Sequence, residues 1–312
     1  MTKISLHDRL APDALKDALT VGAFRAASGL SSLIPGRRAH PIIPWMGRVS
    51  RMMSRSERAQ MVARHLHRVD PTLDGSALAS AVDAAFGSYA RYWAESFRLP
   101  HLPSDEVAAK MTVDGLEHIE AAHERGKGTI LALPHLGGWE WAGRWLIELG
   151  YPMTVVVERI NPPKLFDWFV DLRQSLGMTV VPLGTGAGKR VLGALRNNEV
   201  VCLLCDRDIA GDGVETEFFG ETTTLPAGPV TLGLRTGAAV LPTAVYFTDE
   251  VDGHHGVVRP PLALQRTDRR LAEDRHDGLA LLAGELEYLI RQAPEQWHLF
   301  QPNWPSDPGY RR

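Results

Sequence analysis

The chain has 312 residues, 44% hydrophobic and 23% charged, enough to bury a sizeable core in one large domain or two ordinary ones. Its two cysteines exclude a disulfide framework and fit a reducing cytosol, and no run approaches the roughly 18 uncharged apolar residues of a spanning helix. The net charge of −3 hides an asymmetry, because residues 1–70 hold 12 Lys and Arg against 5 Asp and Glu while the rest hold 22 against 32; a basic, apolar-rich N-terminal third on an acidic body favours an anionic surface as partner and argues against nucleic acid.

The opening residues MTKISLHDRL show no apolar stretch of the secretory kind. Residues 11–34 read as an amphipathic helix, with Leu15, Leu19, Val21, Phe24, Leu30 and Leu33 apolar and Pro35-Gly36 as its stop. After Pro44, Trp45, Met46, Met52 and Met53 interleave with Arg48, Arg51, Arg55 and Arg58. Such helices either lie in a membrane interface or pack with a solvated basic face. A third helix is predicted over 75–98, with Phe86, Tyr89, Trp93 and Phe97 at helical spacing; Pro100 and Pro103 break the chain after it.

From about residue 110 the pattern alternates. Strands are predicted at Gly128–Leu133, Met153–Val157, Thr179–Val181, Val200–Leu204 and Val240–Tyr246. Helices are predicted at Gly138–Leu149, Lys164–Leu176, Gly188–Arg196 and Ala227–Thr236, with a final amphipathic helix at about 268–293. Alternation of this kind means an α/β fold with a largely parallel sheet and helices on both faces. The expected division is residues 1–100 as amphipathic, membrane-associating helices packed on the core, and 101–312 as one continuous α/β domain.

The chemistry gathers where strands end. His135 follows the Gly128–Leu133 strand, and Glu140 stands five residues on in His135-Leu136-Gly137-Gly138-Trp139-Glu140. Imidazole is suited to take a hydroxyl proton near neutral pH, and a carboxylate on its far nitrogen fixes the tautomer. His and Glu at this spacing do not share a face of one regular helix, so the pairing requires His135 to sit before the helix and turn back over its first turn. The alternative is a capping histidine with a glutamate that merely suits the helix dipole.

Gly137 and Gly138 would let backbone N–H groups approach a ligand. Glu158 ends the next strand, Asp206 and Arg207 another, and Arg173 lies on the helix between; each has an alternative reading as a surface ion pair. An arginine there is suited to phosphate. Trp139, Trp141 and Trp145 are expected either to wall a groove or to pack in the core.

Three patterns are set aside. Gly184–Arg190 fails the phosphate-loop spacing, because Leu183 stands where the first glycine belongs and Arg190 replaces the hydroxyl residue. Cys202 and Cys205 on one strand face opposite ways, as core residues do. His254-His255, beside Asp249, Glu250 and Asp252, reads as a solvated hairpin tip rather than a metal site. No nucleophile elbow is present.

Beyond these readings, the chain resembles the bacterial acyltransferase superfamily defined by H-x4-[DE], which holds the lysophospholipid and lipid A late acyltransferases. Within it, the chain is most similar to the actinobacterial phosphatidylinositol mannoside acyltransferases. The likeness runs from about residue 88 to 305. It rests on SYARYWAESFRLP, LALPHLGGWEWAG, VVVERINPP, DLRQSLGMTVVPL, CLLCDRDIAGDGVETEFFGETTTLPAGP and EQWHLFQPNW.

The resemblance implies a glycerol-phosphate-acyltransferase-like core. It implies transfer of a long-chain acyl group from acyl-CoA, as co-substrate and without a cofactor or metal, to a mannose 6-hydroxyl of phosphatidylinositol mannosides. The place implied is the cytoplasmic face of the membrane. His135 would be the general base and Glu140 its partner. Glu158, Arg173 and Asp206 stand where the family places charged site residues, and Arg207 or the Gly137 and Gly138 N–H groups would hold the oxyanion. Two departures change reach by one methylene each: the family has Asp where Glu140 stands and Glu where Asp206 stands. Other acceptors, such as a lipid A precursor, and a non-catalytic lipid-binding role remain as alternatives.

Overall fold

A computed structural model of the chain describes residues 36–53, 56–160 and 162–310, together with Gly22 and Gly29. The helix expected over 11–34 otherwise lies outside the described residues, as does Arg55. After short helical turns at Gly36–Ala39 and His40–Ile42 come three longer helices: α1 (Ile43–Met53), α2 (Ser56–Val69) and α3 (Gly75–Arg98). Glycines set the α1–α3 crossing, since a Cβ on Gly47 would lie 2.5 Å from the Gly87 Cα. Val62 and Leu66 of α2 bury against Val82, Ala85 and Phe86 of α3.

A short helix α4 (Ser104–Ala109) and the edge strand β1 (Met111–Asp114) precede the alternating region. That region runs α5 (Leu116–Glu124), β2 (Thr129–Leu133), α6 (Trp139–Glu148), β3 (Met153–Val157), α7 (Pro163–Ser175), β4 (Thr179–Pro182), α8 (Ala187–Arg196) and β5 (Val200–Leu204). A hairpin follows, β6 (Val214–Phe218) with β7 (Glu221–Leu225). Then come α9 (Gly228–Thr236), β8 (Ala239–Phe247), β9 (His254–Val258) and α10 (Leu271–Gln292).

Seven strands form one sheet in the order β1-β9-β8-β2-β5-β3-β4, and the only antiparallel pairing in it among the described residues is β8 with β9. The expected α/β fold with a mostly parallel sheet is the observed one. The apolar runs are continuous because both faces are covered. Ile130 and Ala132 of β2 join a core with α8, α9 and α10, while Leu131 and Leu133 join a second core with α5 and α6. Cys202 and Cys205 fall in opposite cores, both buried and free.

One local expectation is overturned. His254 is not at a solvated tip but opens β9, 1% exposed. Its ring stacks on Trp141 with centroids 4.4 Å apart, Nδ1 lies 2.9 Å from the Asp252 carbonyl oxygen, and Nε2 lies 3.1 Å from Glu95 Oε2. Arg91 bonds the other Glu95 oxygen at 2.7 Å, so charge is balanced where water is excluded. Trp141 is thereby a core residue, with its indole N–H on the Val107 carbonyl.

Candidate active site

Strand register builds the centre of the site. In the parallel β2–β5 pair, Leu133 stands opposite Leu204, and the Cys205 N–H donates to the Leu133 carbonyl. Two residues beyond the paired ends come His135 and Asp206, side by side at the carboxyl edge of the sheet. His135 Nδ1–H donates to Asp206 Oδ1 at 2.5 Å. This fixes the tautomer and leaves Nε2, which has no protein hydrogen-bond partner among the described residues, with its lone pair. The His135 side chain is 21% exposed and that of Asp206 is not exposed at all.

Asp206 is also held from behind. Its Oδ2 accepts the Trp297 indole N–H at 2.6 Å, and its carbonyl accepts the Asn303 amide at 3.1 Å. Burial alone would raise this carboxyl, but the charge and hydrogen bond of His135, with the indole donor, outweigh it and hold it at about 2. His298 donates its backbone N–H to the His135 carbonyl at 2.7 Å, and its Nε2 lies 2.9 Å from Ser88 Oγ. Burial, then the neighbouring His135, pushes the His298 imidazole down to about 3, so this second ring stays neutral.

The predicted pairing of His135 with Glu140 is not the one the structure makes. Glu140 sits in the first turn of α6, 2% exposed, and its Oε1 accepts the Tyr92 hydroxyl at 2.6 Å and Arg173 Nη2 at 2.9 Å. Its Oε2 has no hydrogen-bond partner among the described residues. His135 does precede the helix, but its ring turns to Asp206 at the end of the neighbouring strand rather than back over the first turn of α6. Burial raises the Glu140 carboxyl although Arg173 opposes the shift. The Arg173 guanidinium also lies 5.0 Å from the Trp139 ring centre, and the Tyr92 phenol, raised well above its ordinary value by burial and then by Glu140, stays a donor.

The expected use of glycine N–H groups also changes. Gly137 N–H donates to the Gln296 carbonyl at 3.0 Å and Gly138 N–H to the Val245 carbonyl at 3.2 Å, so both are spent inside the fold. Arg207 Nη2 pairs with Glu158 Oε2 at 3.2 Å, and its buried Nε has no hydrogen-bond partner among the described residues. The structure thus sorts the six expected residues into three pairs, His135–Asp206, Glu140–Arg173 and Glu158–Arg207. Trp139 and Trp145 line a narrow apolar cavity of about 30 Å³ under α6, together with Leu133 and Met153. As it stands, this is too small for a long acyl chain.

Sequence reasoning singled out none of Tyr92, Trp297, His298 and Asn303. Tyr92 lies beside the helical stripe of Tyr89, Trp93 and Phe97 in SYARYWAESFRLP, and the other three lie in EQWHLFQPNW, where ring and amide side chains crowd without an apolar period.

Comparison with known proteins places the chain among acyltransferases. The family model of the bacterial lipid A biosynthesis acyltransferases matches residues 27–306. A phosphatidylinositol mannoside acyltransferase of Mycobacterium tuberculosis (strain ATCC 25618 / H37Rv) is 41% identical over 229 residues, 72% of this chain and 70% of its own length. One from Mycolicibacterium smegmatis is 36% identical over 264 residues, 84% of each chain. A lipid A biosynthesis acyltransferase of Haemophilus influenzae is 29% identical over 187 residues, 59% of this chain and 55% of its own length.

Proposed function

The chain belongs to the bacterial lipid A biosynthesis acyltransferase family, and from that premise we propose that it moves a long-chain acyl group from acyl-CoA to the mannose 6-hydroxyl of a phosphatidylinositol mannoside. It is an acyltransferase with a glycolipid acceptor. The donor, the exact hydroxyl and the residue roles are our reading. The mannoside is favoured by the relatives at 36–41% identity.

One observation carries the mechanism: His135 Nδ1–H is bound to a buried carboxylate while Nε2 is left unpartnered at the sheet's carboxyl edge. Nε2 takes the sugar hydroxyl proton as the oxygen attacks the thioester carbonyl. Asp206 stabilises the imidazolium that forms. Arg207, next in the chain to Asp206, stabilises the charge on the carbonyl oxygen through its guanidinium. The tetrahedral intermediate collapses by breaking the C–S bond, the thiolate leaves, and the imidazolium returns its proton. A serine or cysteine nucleophile is unnecessary because the leaving group is already good. The Glu140–Arg173 pair, tied to α3 through Tyr92, sets the position of α6 beside His135. Entry of the acyl chain under α6 requires Met111 and Met153, flexible side chains in the cavity wall, to swing aside.

Purified protein with labelled palmitoyl-CoA, offered a mannosylated phosphatidylinositol and a lipid A precursor in parallel, tests this. Label is expected on the mannoside. Label only on the lipid A precursor would replace the acceptor, and label on neither would end the reading.

A further inference from the structure

The segment after α10 does more than close the chain. From Gln296 to Asp307 it crosses the carboxyl edge of the sheet and touches both members of the His135–Asp206 pair. Its backbone takes the His135 side: the Gln296 carbonyl receives Gly137 N–H, and His298 N–H donates to the His135 carbonyl. Its side chains take the Asp206 side, through the Trp297 indole and the Asn303 amide.

The segment is itself anchored at a distance. Asp307 Oδ2 accepts the Asn303 and Trp304 N–H groups at 2.9 and 3.1 Å and lies 3.2 Å from His65 Nε2 on α2. Trp297 is 4% exposed, and its ring is fixed by Phe219 and His65, with centroids 5.8 and 5.9 Å away. An apolar ring of similar size would fill that space. What only indole adds is one N–H, and it meets the carboxylate oxygen that His135 does not use.

We propose that Trp297 is a positioning residue for acyl transfer: its indole N–H fixes the Asp206 carboxylate in the one rotation that presents Oδ1 to His135 Nδ1–H. A carboxylate with one oxygen bound can rock about its Cβ–Cγ bond, and the imidazole rocks with it. With both oxygens bound at 2.5 and 2.6 Å the ring has a single direction. The indole also draws off part of the carboxylate charge. Losing it concentrates charge on Oδ1, favours the imidazolium and moves the working range of the base to higher pH.

The test replaces Trp297 with 3-benzothienylalanine, which keeps the bicyclic ring shape and puts sulfur where the N–H donor stood, with Trp297→Phe made beside it. The acid limb of the kcat/KM profile is expected to rise by about 0.5–1 pH unit. kcat should fall about tenfold, with KM for palmitoyl-CoA within twofold of the parent. In proton NMR the His135 Nδ1–H resonance should move or broaden in both variants. A lower melting temperature with limb and resonance unmoved would show that Trp297 only packs, and overturns the proposal; so does either readout staying put in an active enzyme. The kinetic arm rests on the acyl-transfer reading, whereas the resonance needs no substrate. A wild type that transfers nothing therefore sinks that reading and leaves the resonance to decide the role of Trp297.

Discussion

In the proposed mechanism His135 and Asp206 act as one unit, so removing either should have a similar effect. His135→Ala and Asp206→Asn are each expected to lower acyl transfer by about 10²–10⁴-fold with the fold intact. A Glu140→Gln variant that lost as much would return Glu140 to the role the sequence first assigned it. Asp206 also ties stability to acid. Its ordinary value is 3.8 and the folded value about 2. The unfolded chain therefore takes the proton first as pH falls. The stabilisation, about 2 kcal/mol, is complete above roughly pH 4 and lost as pH falls through 2. Urea midpoints at pH 5 and pH 2.5 should fall less for Asp206→Asn than for the parent; equal falls would contradict this. The histidine was legible in the sequence because it follows an apolar strand. Its acid was not, because H-x4-E is a linear pattern, whereas the observed pair depends on which two strands lie side by side.

At the scale of elements, five strands of the sheet could be read as apolar runs, and their ends fall within about a residue of those predicted. The strands β1, β6, β7 and β9 were missed for one reason. Each is short and bears charged, hydroxyl or imidazole residues, as in VETEF, ETTTL and HHGVV, so pairing with a distant neighbour rather than local pattern makes it a strand. The turn from β2 into α6 is equally dependent on distant contacts. Gly137 has φ +57, and a Cβ there would run into the Val245 carbonyl oxygen. Gly137→Ala is therefore expected to lose about 1–3 kcal/mol in denaturant unfolding. Acyl transfer should fall further than that instability accounts for, since the residue is two places from His135. Unchanged stability would show that the turn can shift freely.

Across the molecule, the N-terminal end stands out by its net positive charge and its exposed large apolar side chains. Trp45 is 63% and Met52 85% exposed on α1, with Arg48 and Arg58 also exposed. No helix among the described residues is long and apolar enough to cross a membrane. Lying on the surface of one is the attachment proposed for this end. The protein is expected to sediment with anionic vesicles and to be released by high salt. Trp45→Ala combined with Met52→Ala should weaken that binding about tenfold or more. Equal binding to neutral and anionic vesicles would remove the electrostatic part.

Cys202 and Cys205 lie in the two cores, and burial lifts the Cys202 thiol to about 12 and the Cys205 thiol well above its ordinary value. Neither is a thiolate at neutral pH, and neither can be reached by a colorimetric disulfide reagent. In a continuous assay with such a reagent, colour would therefore count released coenzyme A and nothing from the enzyme. Two further equivalents per chain should appear only when the protein is unfolded, so the same cuvette can report turnover and intactness.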